Sequence, residues 1–202
     1  MTKKLWLGDR YLGDYEPQHA VGTPGYYEGA IRRFEELGHQ FPPPPSVVEQ
    51  IISLALGFAQ TAQMNHERML KGDLGPDGVW RKDRTPIAPF VVNASLALEL
   101  YLKALAEANG TRISKVHDLD KLYNALPEAA REKLDRRVSE RAPEVDLPPM
   151  FLMMRRAFVE WRYTYERSNT DGFPSGVAVM LLDVLHTLCV EEVMAVVKQP
   201  PV

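Results

Sequence analysis

The chain has little cysteine and no strong charge of either sign. Cys189 is the only cysteine among 202 residues, which excludes an intramolecular disulfide and suits a reducing compartment. Because Cys189 lies in the apolar run 188–190, we expect a buried structural thiol rather than a reactive one. The net charge of −3 gives no overall basic surface of the kind that many nucleic-acid-binding proteins carry. Any contact with RNA therefore needs a local basic patch.

Long uncharged hydrophobic runs are also missing. The most apolar stretch, residues 177–197, contains Asp183 and His186, which favours a core helix over a membrane span. Near the N-terminus, Asp9 and Arg10 interrupt the apolar residues that follow the first lysines, so we expect no signal peptide. We therefore expect a cytoplasmic protein without membrane association.

Several metal-binding and catalytic motifs are absent from the sequence. The five histidines are scattered, without an HExxH pair or paired-cysteine spacing, so we predict no metal site and no cofactor. Neither standard type of glycine-rich phosphate loop occurs, and there is no Gly-x-Ser-x-Gly nucleophile motif. These absences exclude only the classes that the motifs define.

Apolar residues recur at helical spacing along most of the chain, and this pattern predicts an all-α fold. Ser46 and Glu49 form a capping box at the start of the first long helix. The pattern indicates an up-and-down bundle of about five main helices and one short helix near 118–125. The main helices are expected at about 46–70, 88–109, 127–141, 150–167 and 175–198.

Residues 1–45 differ in composition from the rest of the chain. They are rich in tyrosine and glycine, and they end in four consecutive prolines that we expect to form an extended hinge. We expect an irregular arm with a short helix near 27–37 and a strand pattern only at its start. This arm wraps the bundle or reaches a neighbouring subunit. The predicted organisation is thus an arm, 1–45, and a single bundle domain, 46–202.

A polar segment at 71–85 follows the first bundle helix. It contains the densest basic cluster of the chain, with Arg81, Lys82 and Arg84 beside Trp80. A solvated loop is the simpler interpretation, and a loop that binds a ligand or partner is the alternative.

Charged side chains on two helices form a candidate ligand site. Glu99 and Lys103 are spaced i, i+4 in the favourable order, either as a solvated pair or as the lining of a groove or dimer seam. On the helix expected at 150–167, Arg155, Arg162 and Glu166 project along one face. An arginine held by carboxylates either fixes the geometry of a bundle or binds phosphate through two hydrogen bonds.

Three segments, 93–110, 116–127 and 158–166, together resemble the HEPN superfamily of helical domains. The resemblance covers about residues 88–198. Its features are the Glu99-x-x-x-Lys103 spacing, the His117-Asp118-Leu119 start of the next helix, and the pair Arg162-Tyr163.

The resemblance implies an up-and-down bundle that forms a homodimer, in a superfamily rich in metal-independent ribonucleases of toxin–antitoxin and antiviral systems. The catalytic signature of those enzymes is an arginine followed, after four to six residues, by a histidine. The positions that follow Arg162 at this spacing hold Arg167, Ser168 and Asn169, and none is histidine. The chain therefore resembles a degenerate member.

The leading hypothesis is a non-catalytic, HEPN-like homodimer in a host-defence or toxin–antitoxin setting, which binds RNA, a nucleotide or a partner protein. Its candidate ligand or RNA-phosphate site comprises Glu99, Lys103, Arg155, Arg162, Glu166 and Asn169. One alternative is a divergent metal-independent ribonuclease, in which Arg162 stabilises phosphate and Asn169 or His186 assists. Another is a purely structural module that engages a protein through its arm or the 71–85 loop. Enzyme activity stays open.

Overall fold

A computed structural model describes the greater part of the chain. The residues that it describes are 3–7, 10–15, 24–36, 38, 45–71, 73–74, 76–77, 80–81, 86–155, 157–162 and 173–197. The all-α fold predicted from the sequence is confirmed, and eight helices occur among these residues. Contacts divide the chain into two compact units, Met1–Pro44 and Pro45–Val202.

The first unit contains a β-hairpin and one helix. Strand β1 (Lys3–Leu7) pairs antiparallel with β2 (Arg10–Tyr15), and helix α1 spans Pro24–Glu36. Gly38 follows with φ of +80°, a left-handed conformation that glycine adopts without steric cost and that often follows a helix. The short helix and the strand pattern predicted for the arm both occur, and the helix begins three residues earlier than predicted. Prolines 42–44 of the expected hinge lie outside the described residues.

The second unit is the helical bundle. Its seven described helices are α2 (Val47–Lys71), α3 (Ile87–Ala108), α4 (Leu119–Asn124), α5 (Glu128–Arg141), α6 (Leu147–Met154), α7 (Ala157–Arg162) and α8 (Ser175–Val197). Two short strands, β3 (Asp73–Leu74) and β4 (Trp80–Arg81), pair antiparallel within the segment that the sequence predicted as a loop.

Helix α2 begins at the predicted capping box. The Glu49 backbone N–H donates to Ser46 Oγ at 3.2 Å, and the Ser46 backbone N–H donates to Glu49 Oε2 at 2.6 Å. Hydrogen bonding to the side chain and then the backbone of Ser46 holds the pKa of Glu49 below its ordinary value, because these bonds favour the ionised carboxylate. The local sequence alone therefore sets where this helix starts.

Helix α3 is the centre of the bundle. It packs against α2, α4, α7 and α8, and twelve of its 22 residues are buried. Its length and composition match those of a membrane-crossing helix, a test that the core helix of a bundle also passes. The largest fully buried side chains of α3 are Phe90, Leu98, Tyr101, Leu102 and Leu105. Most of the core is therefore built around one helix.

The prediction of one continuous helix at 150–167 is wrong in both the start and the continuity of the helix. Helix α6 already begins at Leu147, because Pro148 and Pro149 occupy the first turn, where a missing N–H costs nothing. A turn at Arg155 separates α6 from α7. The Arg155 backbone carbonyl accepts a hydrogen bond from the Leu119 N–H at 3.3 Å, which diverts it from helical bonding. The sequence predicted that Arg155 and Arg162 lie on one continuous helical face. Because of the break at Arg155, they do not.

Ion pairs connect helix α5 to α8. Its basic residues recur at four-residue spacing and face acidic residues of α8. The ion pairs are Lys133–Glu192, Arg137–Glu191 and Arg141–Asp183. Beneath them α5 buries only small or medium apolar side chains, Ala130, Leu134 and Val138.

Candidate functional site

Glu99 is a buried carboxylate shared by two nitrogen-bearing side chains. Only 6% of the residue is exposed. Its Oε1 accepts a hydrogen bond from Lys103 Nζ at 2.7 Å and lies 2.9 Å from His117 Nδ1. A buried carboxylate costs several kcal/mol unless it is paired and hydrogen-bonded, and these partners meet that requirement. The i, i+4 pair that the spacing predicted therefore forms, and it is buried rather than solvated.

The loop after α3 carries His117 back to Glu99. Gly110 ends the helix with φ of +77°, which glycine tolerates. Lys115 then adopts φ of +62°, a left-handed conformation that costs a residue with a side chain about 1–3 kcal/mol. The bond between His117 and Glu99 closes the loop and holds this strained backbone in place.

His117 is fixed at one ring nitrogen and open at the other. A carboxylate only accepts hydrogen bonds, so Nδ1 carries the proton that is donated to Glu99. The side chain is nevertheless 68% exposed, which leaves Nε2 accessible to solvent. An imidazole oriented by a carboxylate is suited to binding phosphate or to accepting a proton.

Further cations belong to the loop that carries His117, to α4 and to the end of α6, which contacts α4. Lys121, in the first turn of α4, pairs with Asp118 at 2.8 Å. Arg155 is exposed, and its carbonyl is bonded to the start of the same helix. We define the basic face as Lys103, Lys115, His117, Lys121 and Arg155. It joins side chains from α3, the following loop, α4 and the end of α6.

Carboxylates limit the charge of the basic face. Glu99 and Asp118 neutralise Lys103 and Lys121, and one buried oxygen of Asp120 has no hydrogen-bond partner among the described residues. No cluster of three or more His, Cys, Asp or Glu side chains that could hold a metal occurs in the described part of the chain. Lys115 and Arg155 form no ion pair with another described residue. They are therefore the cations available to a ligand.

The structure groups some of the predicted site residues and leaves others untested. Glu99 and Lys103 are in contact, and Arg155 lies at the edge of the same face. Arg162 is the last residue of α7, but its side chain lies outside the description, as do Glu166 and Asn169 entirely. His117 was not proposed as a ligand-binding residue. Its place in the His-Asp-Leu motif was the signal available in the sequence.

Comparisons with protein-family models, with curated proteins and with solved structures found no match to this chain. The resemblance to the HEPN superfamily therefore stays a prediction that rests on the residues quoted for it.

A second polar arrangement lies on the other side of α3. The hydroxyl of Tyr101 is 3.0 Å from His186 Nδ1, and Tyr101 is fully buried. Burial, with a smaller effect of nearby Cys189, raises the pKa of Tyr101, so the hydroxyl stays protonated. A buried hydroxyl needs an acceptor, so Tyr101 donates to His186 Nδ1 and the imidazole carries its proton on Nε2.

Cys189 is the buried thiol that the sequence predicted. Its Sγ donates to the Tyr101 backbone carbonyl at 3.4 Å, and the residue is fully buried. Burial, with a smaller effect of Glu192, raises the pKa of Cys189 to about 12. The thiolate is therefore strongly disfavoured, and Cys189 has a structural role.

Breaking the Glu99–Lys103 pair is expected to destabilise the bundle. Glu99→Gln and Lys103→Met should each lower the free energy of unfolding, because each leaves a mostly buried charge without its counter-ion. The double variant should lose less than the sum of the two, with a coupling of about 0.5–3 kcal/mol. Denaturant unfolding of the four proteins measures this coupling.

The exposed pair Arg137–Glu191 provides the control. Both side chains are more than 40% exposed, so the same cycle with Arg137→Gln and Glu191→Gln should give a coupling of at most about 1 kcal/mol. Additive effects at Glu99 and Lys103, within about 0.5 kcal/mol, would show that the buried pair does not act as a unit.

Proposed function

We propose that this chain is a HEPN-like, dimeric and non-catalytic RNA-binding module whose basic face contacts backbone phosphates. The observation that carries the proposal is the fixed, exposed imidazole of His117, which buried Glu99 orients two residues after Lys115 in the chain. Arg155 lies where the end of α6 is hydrogen-bonded to the start of α4. A cytoplasmic host-defence or toxin–antitoxin setting goes with this proposal. The single buried cysteine is compatible with such a reducing compartment.

The distribution of charge favours an RNA strand over a single nucleotide. The basic face draws its cations from four separate elements, namely two helices, a loop and a helix end. Such a surface suits successive phosphates along a backbone, whose contacts position a protein without reading the sequence. Because several of the cations are neutralised by carboxylates, we expect weak and salt-sensitive binding.

The same histidine favours a second candidate, a metal-independent ribonuclease. An imidazole held at Nδ1 by a carboxylate has Nε2 available to accept the proton of a ribose 2′-hydroxyl. We rank this candidate second because the sequence has no histidine at the position where the superfamily signature places one after Arg162. RNA cleavage requires, besides the group that accepts the 2′-hydroxyl proton, a second group that donates a proton to the leaving oxygen.

The proposed dimer uses the outer face of α2. Residues at alternating three- and four-residue spacing along this helix are all exposed, as in the seam of a coiled coil. They are Val47, Gln50, Leu54, Gly57, Thr61, Met64 and Arg68. Three of them are large apolar side chains, with exposures of 52% for Val47, 54% for Leu54 and 67% for Met64.

Gly57 explains how two copies of this face approach each other. A Cβ at Gly57 would meet no atom within 4 Å, so packing within the chain does not require glycine. A glycine inside a helix nevertheless costs about 0.5–1 kcal/mol relative to alanine. Gly57 lies near the middle of the face, where a two-fold axis would bring it against its own copy in an antiparallel pair. Close contact between two helices accounts for a small residue there.

Removing the two available cations is expected to weaken RNA binding. The variant combines Lys115→Asn with Arg155→Gln, since asparagine tolerates the left-handed backbone of position 115. The slope of log affinity against log salt concentration should fall by about 0.7 for each phosphate that the variant no longer neutralises. Fluorescence anisotropy with a labelled, mixed-sequence single-stranded RNA measures it.

A control with the same loss of charge is Lys71→Gln with Arg136→Gln, two exposed cations outside the basic face. Equal reductions of affinity in both variants, or an unchanged slope in the first, would contradict the proposed face. All incubations contain a chelator, and the RNA is analysed afterwards. If the unmodified chain cleaves the RNA and the His117→Gln variant does not, the non-catalytic proposal is overturned in favour of the ribonuclease.

Gly57→Leu is expected to weaken the dimer while leaving the fold intact. The new side chain has open space within the chain but blocks the close approach of a second α2. A loss of about 2 kcal/mol at the centre of an interface raises the dissociation constant roughly 30-fold. Analytical ultracentrifugation over a concentration series measures this change.

The control is Gly176→Leu in α8, another glycine with open space around it. This variant should dimerise like the unmodified chain. An unmodified chain that stays monomeric at high concentration, or a Gly57→Leu variant that dimerises normally, would refute the α2 interface.

A further inference from the structure

A groove of about 300 Å³ lies between α2, α3 and α8. Its volume is at the lower end of the range for small-molecule sites, which are mostly apolar with a few convergent polar groups. The groove matches that description. Its walls include Leu56, Gln60, Tyr101, Leu182, Asp183 and His186.

The groove and the basic face lie on opposite sides of α3. Tyr101 is two residues from both Glu99 and Lys103, and two residues along a helix turn the side-chain direction by about 200°. A ligand in the groove is therefore separate from RNA phosphates on the basic face.

His186 presents a fixed hydrogen-bond donor to the groove. Its Nδ1 accepts the Tyr101 hydroxyl at 3.0 Å, so the neutral ring carries its proton on Nε2. Because Tyr101 is fully buried, this bond also fixes the tautomer and the orientation of the imidazole. Rigid placement of a donor reduces the entropy cost of binding a ligand.

Gln60 brings both a donor and an acceptor to the same groove. Its side-chain amide makes no hydrogen bond to another described residue, whereas Gln63 donates to Glu67 at 3.5 Å. A free glutamine amide pairs with two adjacent polar atoms of a planar ring, as glutamine does with the N6 and N7 edge of adenine.

The charges at the rim of the groove cancel. Arg141 and Asp183 pair with each other across it, and His186 is neutral while it accepts the Tyr101 hydroxyl. The lining therefore offers a phosphate no excess positive charge. A neutral, planar ligand that carries a donor beside an acceptor is the chemical match.

We propose that this groove binds an adenine base, as adenosine, with the ring against Leu56 and Leu182 and its polar edge paired with Gln60. His186 Nε2 donates to a further ring nitrogen or ribose oxygen. The site is independent of the proposed RNA-binding function, because it uses a different surface and does not involve phosphate.

The experiment titrates adenosine, purine riboside and inorganic phosphate into the ¹⁵N-labelled full chain. Purine riboside keeps the ring and ribose of adenosine but lacks the N6 amino donor. Adenosine should shift amide signals of groove residues and bind roughly five- to a hundredfold more tightly than purine riboside, the discrimination of one paired amide. Phosphate should leave these signals unchanged. Gln60→Ala should lower the adenosine affinity by a similar factor. The control Ser53→Ala, at an exposed position of the same helix outside both the groove and the proposed dimer face, should leave it unchanged.

Three results would overturn the proposal. The first is no shift of groove signals up to the solubility limit of adenosine. The second is equal binding of adenosine and purine riboside. The third is an adenosine affinity that Gln60→Ala leaves unaltered. Because Gln60 is exposed, weaker binding in that variant is not a consequence of a disturbed core.

Discussion

The burial of Glu99 is the constraint from which the candidate site follows. The bundle is built around α3, and a carboxylate on such a helix must find partners inside the protein. Lys103 supplies one from the next turn, and His117 supplies the other across the loop. The second partner ties the loop to the core and leaves an oriented imidazole at the surface. The need to pair the buried carboxylate of Glu99 therefore places the oriented imidazole of His117 at the surface.

The same helix separates two kinds of chemistry. On one side of α3, Glu99 and Lys103 lead to a surface with charged side chains. On the other side, Tyr101 leads to a neutral groove in which His186 has a defined tautomer. Because α3 is rigid and central, the two surfaces are held in fixed positions, while each has its own charge. A protein with a net charge of −3 can in this way carry a local basic surface.

The outer helices contribute in different ways. Ion pairs fasten α5 to α8, and the Arg141–Asp183 pair also closes one side of the groove. By contrast, α2 is packed into the bundle on one face and exposes apolar side chains on the other. In a monomer this exposed face would pack against nothing, and the glycine at its centre would only lower the stability of the helix. The proposed dimer would give both features a function.

Local patterns in the sequence determined most of the helices and little of the site. The 3.6-residue periodicity placed α2, α3, α5 and α8, and the Ser46–Glu49 capping box and the Glu99–Lys103 pair involve residues within one turn of each other. Tertiary structure decided the rest. His117 reaches Glu99 across 18 residues and His186 reaches Tyr101 across 85, and the break at Arg155 depends on the distant Leu119. Periodicity shows which side of a helix is apolar, but only packing shows which residues of other helices meet that side.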